Sequence, residues 1–305
     1  MNDYFDLQVN GYGGVDFNQD DLTAEQLHAA CVKLGDGGVT GILATFITDT
    51  VDQMRRRIRR LVELRAHDPL ARQLIAGLHL EGPFLNESPG YRGAHPVDAI
   101  HPANLPEMQQ LLAAGDGLVR LVTLAPERDP GQQTTRYLAA TGVVVSAGHT
   151  DASLDELKAG IDAGLSLFTH LGNGCPLQLH RHDNIIQRAL SLADRLSLCF
   201  IADGVHVPFP TLRNYLQLAG ARAIVVTDAM AAAGLGPGRY RIARWEVVVG
   251  DDRAAWAPDR SHLVGAAITM RETEQNLRQA LGFSPADCHR LLSQNPRLVL
   301  DQHRR

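Results

Sequence analysis

Glu81, His149 and His170 each stand just past a short apolar run of strand-forming residues, and each follows a different run. Two imidazoles and a carboxylate donated from separate strands suit a catalytic divalent cation, which takes three protein ligands and keeps one position open for water. A lone histidine at such a place serves as readily to hydrogen-bond a loop backbone. Three ligands at three strand ends favour the metal centre. Asp228 ends the run IVVT and is placed to act as general base toward water at such a centre. An aspartate there equally suits a helix N-cap. His206, in DGVHV, and the pair Gln8 and Asn10, in LQVNG, stand at strand ends too.

These side chains need a scaffold that gathers strand ends. Eight short runs read as buried parallel strands, at residues 4–10, 39–46, 74–80, 118–124, 142–147, 165–169, 196–202 and 222–227. Helical stretches separate them. TAEQLHAACVKL at 23–34 opens on threonine, Ser153 with Glu156 forms a capping box, and 208–219, 267–281 and 284–293 read as further helices. Gly37 and Gly38 close a helix before the next strand. Eight alternations predict an α/β fold, one (β/α)8 TIM barrel of the metal-dependent hydrolase type, whose site is assembled at the C-terminal strand ends. A doubly wound sheet is the weaker alternative. Residues 241–264 break the pattern and read as a β-hairpin excursion after the eighth strand.

Composition narrows the function. The chain has 305 residues and a net charge of −5, which gives no basic face for nucleic acid. The arginine run at 55–60 reads as a solvated helix face. No stretch reaches the ~18 apolar residues of a membrane span, and the N-terminus lacks the features of a signal peptide. Four scattered cysteines without a CxxC fit a reducing cytoplasm.

The segments DLQVNGYGGVDFN, HLEGPFLN with GAHP, SAGHTDAS, THLGNGCP, IADGVHV, VTDAMAAAG, LVGAAITM and NPRLVL run in one order from Asp6 to Leu300. In this the chain resembles N-acetylglucosamine-6-phosphate deacetylases of the amidohydrolase superfamily. The resemblance implies that Glu81, His149 and His170 bind the metal, that Asp228 is the catalytic acid/base, and that His206 meets the acetyl carbonyl. His95 would face the substrate, Asn173 and Gly174 would bind the sugar phosphate, and Arg181 would reach the phosphate of a neighbouring subunit in a homodimer. Gln8 and Asn10 replace the HxH by which many amidohydrolases hold a second metal, so a single divalent ion is expected, zinc first, with iron(II), cobalt(II) or manganese(II) also suited to the ligands. The implied substrate is a small N-acetyl amino-sugar phosphate, with no nucleic acid or membrane partner. The family's Asn-Ala-Met reads Asn173-Gly174-Cys175 here, and its HHREPG reads LHRHDN. Residues 1–305 are expected to form one barrel domain, with the family's flanking β-sandwich absent or vestigial. Other readings are an amidohydrolase acting on a cyclic amide or by deamination, and a non-catalytic sugar-phosphate-binding barrel.

Overall fold

The computed structural model describes residues 3–302. Its centre is a parallel sheet of eight strands paired in chain order. They are β1 (Tyr4–Val9), β2 (Val39–Ile47), β3 (Ile75–Glu81), β4 (Val119–Leu124), β5 (Val144–Ala147), β6 (Leu165–Phe168), β7 (Ser197–Ile201) and β8 (Ala223–Val226). Each matches a run expected from the sequence, with β2 and β3 reaching one residue past theirs, to Ile47 and Glu81. Alternate residues of the strands sort into two apolar clusters. Leu43, Leu121, Val144, Leu167 and Ile224 belong to one, which fills the barrel. Ile42, Val122, Val145, Phe168 and Val225 belong to the other, together with helix residues such as Leu27, Ile58, Leu111 and Leu212. Burial on both faces is why the strands read as unbroken apolar runs.

Most of the helices begin where side chains satisfy their first N–H groups. Capping boxes pair Thr23 with Gln26 and Ser153 with Glu156. A third pairs Thr269 with Glu272, so that helix starts at Met270, later than the apolar pattern from residue 267 suggests. Within helix Val51–His67 the arginine run is not wholly solvated. Arg57 is buried and donates to Asp20 at 2.7 Å and to Asp49 at 3.0 Å.

The excursion after β8 is larger than a hairpin. Four antiparallel strands, β9 (Gly238–Ile242), β10 (Trp245–Val249), β11 (Ala254–Trp256) and β12 (Leu263–Ala266), form a second sheet. Ile242, Val247, Val249 and Val264 pack with Ile47 and Met230 at the top of the barrel. Polar ties fix the sheet there. The Ala243 N–H donates to Asp16, and Arg244 reaches both Asp49 (3.1 Å) and Asp98 (3.2 Å).

Between β8 and β1 the circle is completed by a bridge from Val9 to Ala229 and by the Asp6 carboxylate. That carboxylate accepts from the N–H groups of Gln8 and Thr227 and from the Thr227 hydroxyl. Burial pushes the Asp6 carboxyl up to about 7, against these hydrogen bonds, which lower it. A raised acid keeps its proton in the folded chain at pH values where the unfolded chain, near 3.8, has released it. The folded state therefore binds more protons across pH 4–7, and Asp6 draws stability down as pH rises through that window. Asp6→Asn is expected to flatten the fall of Tm between pH 4 and pH 7, measured by calorimetry at steps of one pH unit. An unchanged slope would show that Asp6 does not carry it.

Candidate active site

At the C-terminal end of the barrel a cavity of about 540 Å³ is lined by Glu81, His95, His149, His170, His206 and Asp228. Glu81 ends β3, His149 follows β5, His170 follows β6, and Asp228 follows β8. The last three hold positive backbone φ angles of 50°, 27° and 52°. Such angles are uncommon for residues with a Cβ and tend to mark sites where geometry outranks backbone comfort. No helix starts at Asp228, so its carboxylate does not serve as the N-cap that the sequence left open.

Glu81 is the hub. Its Oε1 lies 2.8 Å from His170 Nε2, 3.3 Å from His149 Nε2 and 3.1 Å from Gln8 Nε2. His95 Nε2 stands 4.0 Å from Oε2. Burial alone would keep Glu81 protonated, but the hydrogen bonds from His149 and His170 outweigh it and hold the carboxyl well below the usual range. His170 shows the converse balance: burial pulls its imidazole down, and its bond to Glu81 with that carboxylate's charge leaves it raised.

The donor set fits a divalent cation. Ligand atoms of Glu81, His95 and His149 all lie within 4.8 Å of one another. His149 Nδ1 meets the Tyr91 carbonyl at 2.7 Å. A carbonyl only accepts, so Nδ1 carries a hydrogen; Nε2 donates to Glu81 only as an imidazolium, and a cation that displaces that second proton would meet the lone pair it requires. The second nitrogen of His170 is buried without a partner among the described residues.

His95, expected to face substrate, is buried with Nδ1 2.8 Å from the Thr48 hydroxyl, and its ring meets the edge of His149 at 4.4 Å. Burial, with the neighbouring His149, pushes its imidazole down to about 3. Gln8 and Asn10 turn their NH₂ groups to the carboxylates. Gln8 Nε2 bridges Glu81 and Asp228, both at 3.1 Å, while Asn10 Nδ2 donates to Asp228 at 2.7 Å. An NH₂ group offers no lone pair to a cation. The Asn10 Oδ1, also a cavity-lining group, is buried with no partner among the described residues. Asp228 is pushed up to about 6 by burial and then by the charge of Glu81.

His206 is supported by a partner from its own loop. Asp203 Oδ2 lies 2.6 Å from His206 Nδ1, while Oδ1 accepts the N–H groups of Val205 and His206 at 2.9 Å each. The i, i+3 spacing of Asp203 and His206 was the available signal. Asn173 and Gly174 line the cavity, and a Cβ on Gly174 would come within 2.8 Å of His149 Nδ1. Arg181 is exposed on its loop and lines no part of the cavity. The second sheet and its loop add Trp256 and His262, which no motif had marked, and Leu263, the first residue of the LVGAAITM segment.

Glu81→Gln removes the charge on which the imidazoles converge. Its affinity for zinc, measured by chelator competition, is expected to fall at least about 100-fold while the circular dichroism spectrum stays that of wild type. Wild-type affinity would take Glu81 out of the ligand set.

No protein-family model matches the chain. Curated relatives do. It is 31% identical to the N-acetylglucosamine-6-phosphate deacetylase of Bos taurus over 311 residues, spanning 99% of this chain and 74% of the relative. The Bacillus subtilis enzyme of the same name is 31% identical over 95% of this chain and 72% of its own length. An N-acetylgalactosamine-6-phosphate deacetylase from Escherichia coli is 29% identical, covering 97% and 77%. Among solved structures, a mutant N-acetyl-D-glucosamine-6-phosphate deacetylase from Mycobacterium smegmatis, in complex with N-acetyl-D-glucosamine-6-phosphate, superposes with a TM-score of 0.89 at 30% identity, over 99% of this chain and 77% of that one. The Pasteurella multocida N-acetylglucosamine-6-phosphate deacetylase gives 0.85 at 30% identity, over 98% and 76%.

Proposed function

Because the chain belongs to the N-acetylglucosamine-6-phosphate deacetylase family of the amidohydrolase superfamily, we propose that it hydrolyses the acetamide of N-acetylglucosamine-6-phosphate to acetate and the free amino-sugar phosphate. The observation that carries this reading is Asp228, a carboxylate held over the Glu81–His149–His170 group by two amide donors. Glu81, His149 and His170 are the residues we assign to a single divalent cation, and their oxygen and imidazole donors suit zinc. Such an ion supplies Lewis acidity toward water and toward the acetyl oxygen.

The protein's own groups handle the protons. Asp228, pushed up to about 6, accepts a proton from the attacking water near neutral pH. Gln8 and Asn10 fix the orientation of its carboxylate, so that basic lone pairs face the cavity. Water adds to the acetamide carbon, the C–N bond breaks, and the same proton passes from Asp228 to the leaving amine. His206, steadied at Nδ1 by Asp203, has its second nitrogen to offer the acetyl oxygen as negative charge develops there. With Nδ1 bonded to a carboxylate, only the imidazolium donates at both nitrogens. Asn173 and Gly174 are assigned to the sugar phosphate and His95 to the sugar face.

We also propose a cytoplasmic homodimer. Four free thiols suit a reducing compartment. Arg181 lies outside its own cavity, four residues after the fully exposed Leu177, as suits a loop that reaches a second copy. Light scattering is expected to give twice the 33.2 kDa chain mass; a monomer at assay concentration would end this part of the proposal.

Acetate release from N-acetylglucosamine-6-phosphate, followed beside its galactosamine epimer and beside ammonia release, tests the reaction. Asp228→Asn is expected to lower kcat by about 10³-fold with bound metal unchanged. Acetate release by the variant at the wild-type rate would remove Asp228 from the chemistry.

A further inference from the structure

The cavity floor is acidic. Glu81 and Asp228 face it, and a sugar carrying a phosphate dianion must still be held there. Of the side chains that line the cavity, one bears a permanent positive charge: Arg92. It lies in the segment after β3, is half-buried, and takes part in no ion pair or side-chain hydrogen bond among the described residues. Its basic neighbours are already engaged. Arg128 pairs with Glu87, and Arg188 pairs with Asp151 and Asp183.

The backbone around Arg92 is fixed, which separates it from an ordinary loop arginine. The Arg92 N–H donates to the Ser88 carbonyl, and the Arg92 carbonyl accepts from His95. The preceding carbonyl, of Tyr91, receives His149 Nδ1 at 2.7 Å. On the far side Gly90, with φ of 87°, lies so close to Pro176 that a Cβ would come within 2.7 Å of it. The segment is thus clamped between a residue of the metal-ligand group and the loop after β6. An unpaired guanidinium lining a pocket with two carboxylates is a fork with no acceptor, and its planar pair of N–H donors matches a phosphate better than an ammonium does.

We propose that Arg92 is the phosphate anchor supplied by this chain itself, and that it sets the preference for phosphorylated over neutral amino sugars; this rests on the reaction proposed above. The acetamide at C2 and the phosphate at C6 occupy opposite ends of the pyranose. Arg92 and Asp228 both line the cavity, so an arginine and a proton-transfer group are available to the two ends of one molecule. Arg181, from a neighbouring copy, would be a second contact and not the first.

The test uses the metal-loaded protein and two readouts. Acetate release is measured on N-acetylglucosamine-6-phosphate and on N-acetylglucosamine, for wild type, Arg92→Ala, Arg92→Lys and Arg181→Ala. Arg92→Ala is expected to lower the ratio of kcat/KM between the phosphorylated and neutral sugars by about 100-fold, chiefly through KM, and Arg92→Lys to recover part of it. Calorimetric binding of glucosamine-6-phosphate against glucosamine needs no turnover. Weakening of only the phosphate ester in Arg92→Ala supports the anchor even if wild type releases no acetate, a result that would defeat the reaction alone. Equal loss on both sugars, or wild-type phosphate selectivity in Arg92→Ala with the whole loss in Arg181→Ala, overturns the proposal.

Discussion

Everything at the top of this barrel follows from keeping Glu81 charged where water scarcely reaches. An isolated buried carboxylate is too costly to ionise and takes up a proton instead. Here three donors from three other elements, Gln8, His149 and His170, meet one carboxylate oxygen. Removing any donor leaves part of a buried charge unanswered, so β1, β5 and β6 are held to one register at their ends. Gln8 also binds Asp228, which links two carboxylates through one amide and places one of them low and the other high on the acidity scale. That separation suits the two roles proposed for them, a ligand and a proton carrier drawn from the same residue type.

The barrel was legible because its strands are buried on both faces and its helices carry capping side chains. Those signals are local, and each strand was found within a few residues. The polar strand ends were legible for the same reason, since an imidazole after an apolar run stands out. Long-range partners left little trace. Arg57 reads as one of a solvated run until Asp20 and Asp49 are brought beside it by the fold. His95 looks like a turn residue before a proline until Thr48 and His149 enclose it. The second sheet was undercounted because β11 and β12 are only three and four residues long and are separated by a loop holding Asp259, Arg260 and Ser261, so alternation never runs long enough to announce a strand. Arg92 gave no signal at all. Its meaning lies in the absence of a carboxylate partner, and sequence order does not record that.

The second sheet divides the labour of the cavity. Chemistry-bearing groups come from the barrel, whose strands are locked by packing on both sides. Further lining, through Trp256, His262 and Leu263, comes from a sheet and its loop, pinned by a few polar ties, Asp16 to Ala243 and Arg244 to Asp49 and Asp98. Its outer strand β9 exposes Arg239 and Arg241, charges that discourage pairing with another chain's edge. Such an arrangement allows the shape presented to a sugar to vary without disturbing the residues that move protons.

The left-handed backbone at His149, His170 and Asp228 sets a ceiling on how robust this fold can become. Each such residue costs on the order of 1–3 kcal/mol, relieved most directly by glycine, a substitution that also deletes the side chain to which the proposed chemistry is assigned. Selection for heat tolerance would therefore have to gain its margin elsewhere, in helix caps, loops and the outer shell, while these three positions keep the conformation that the proposed roles need.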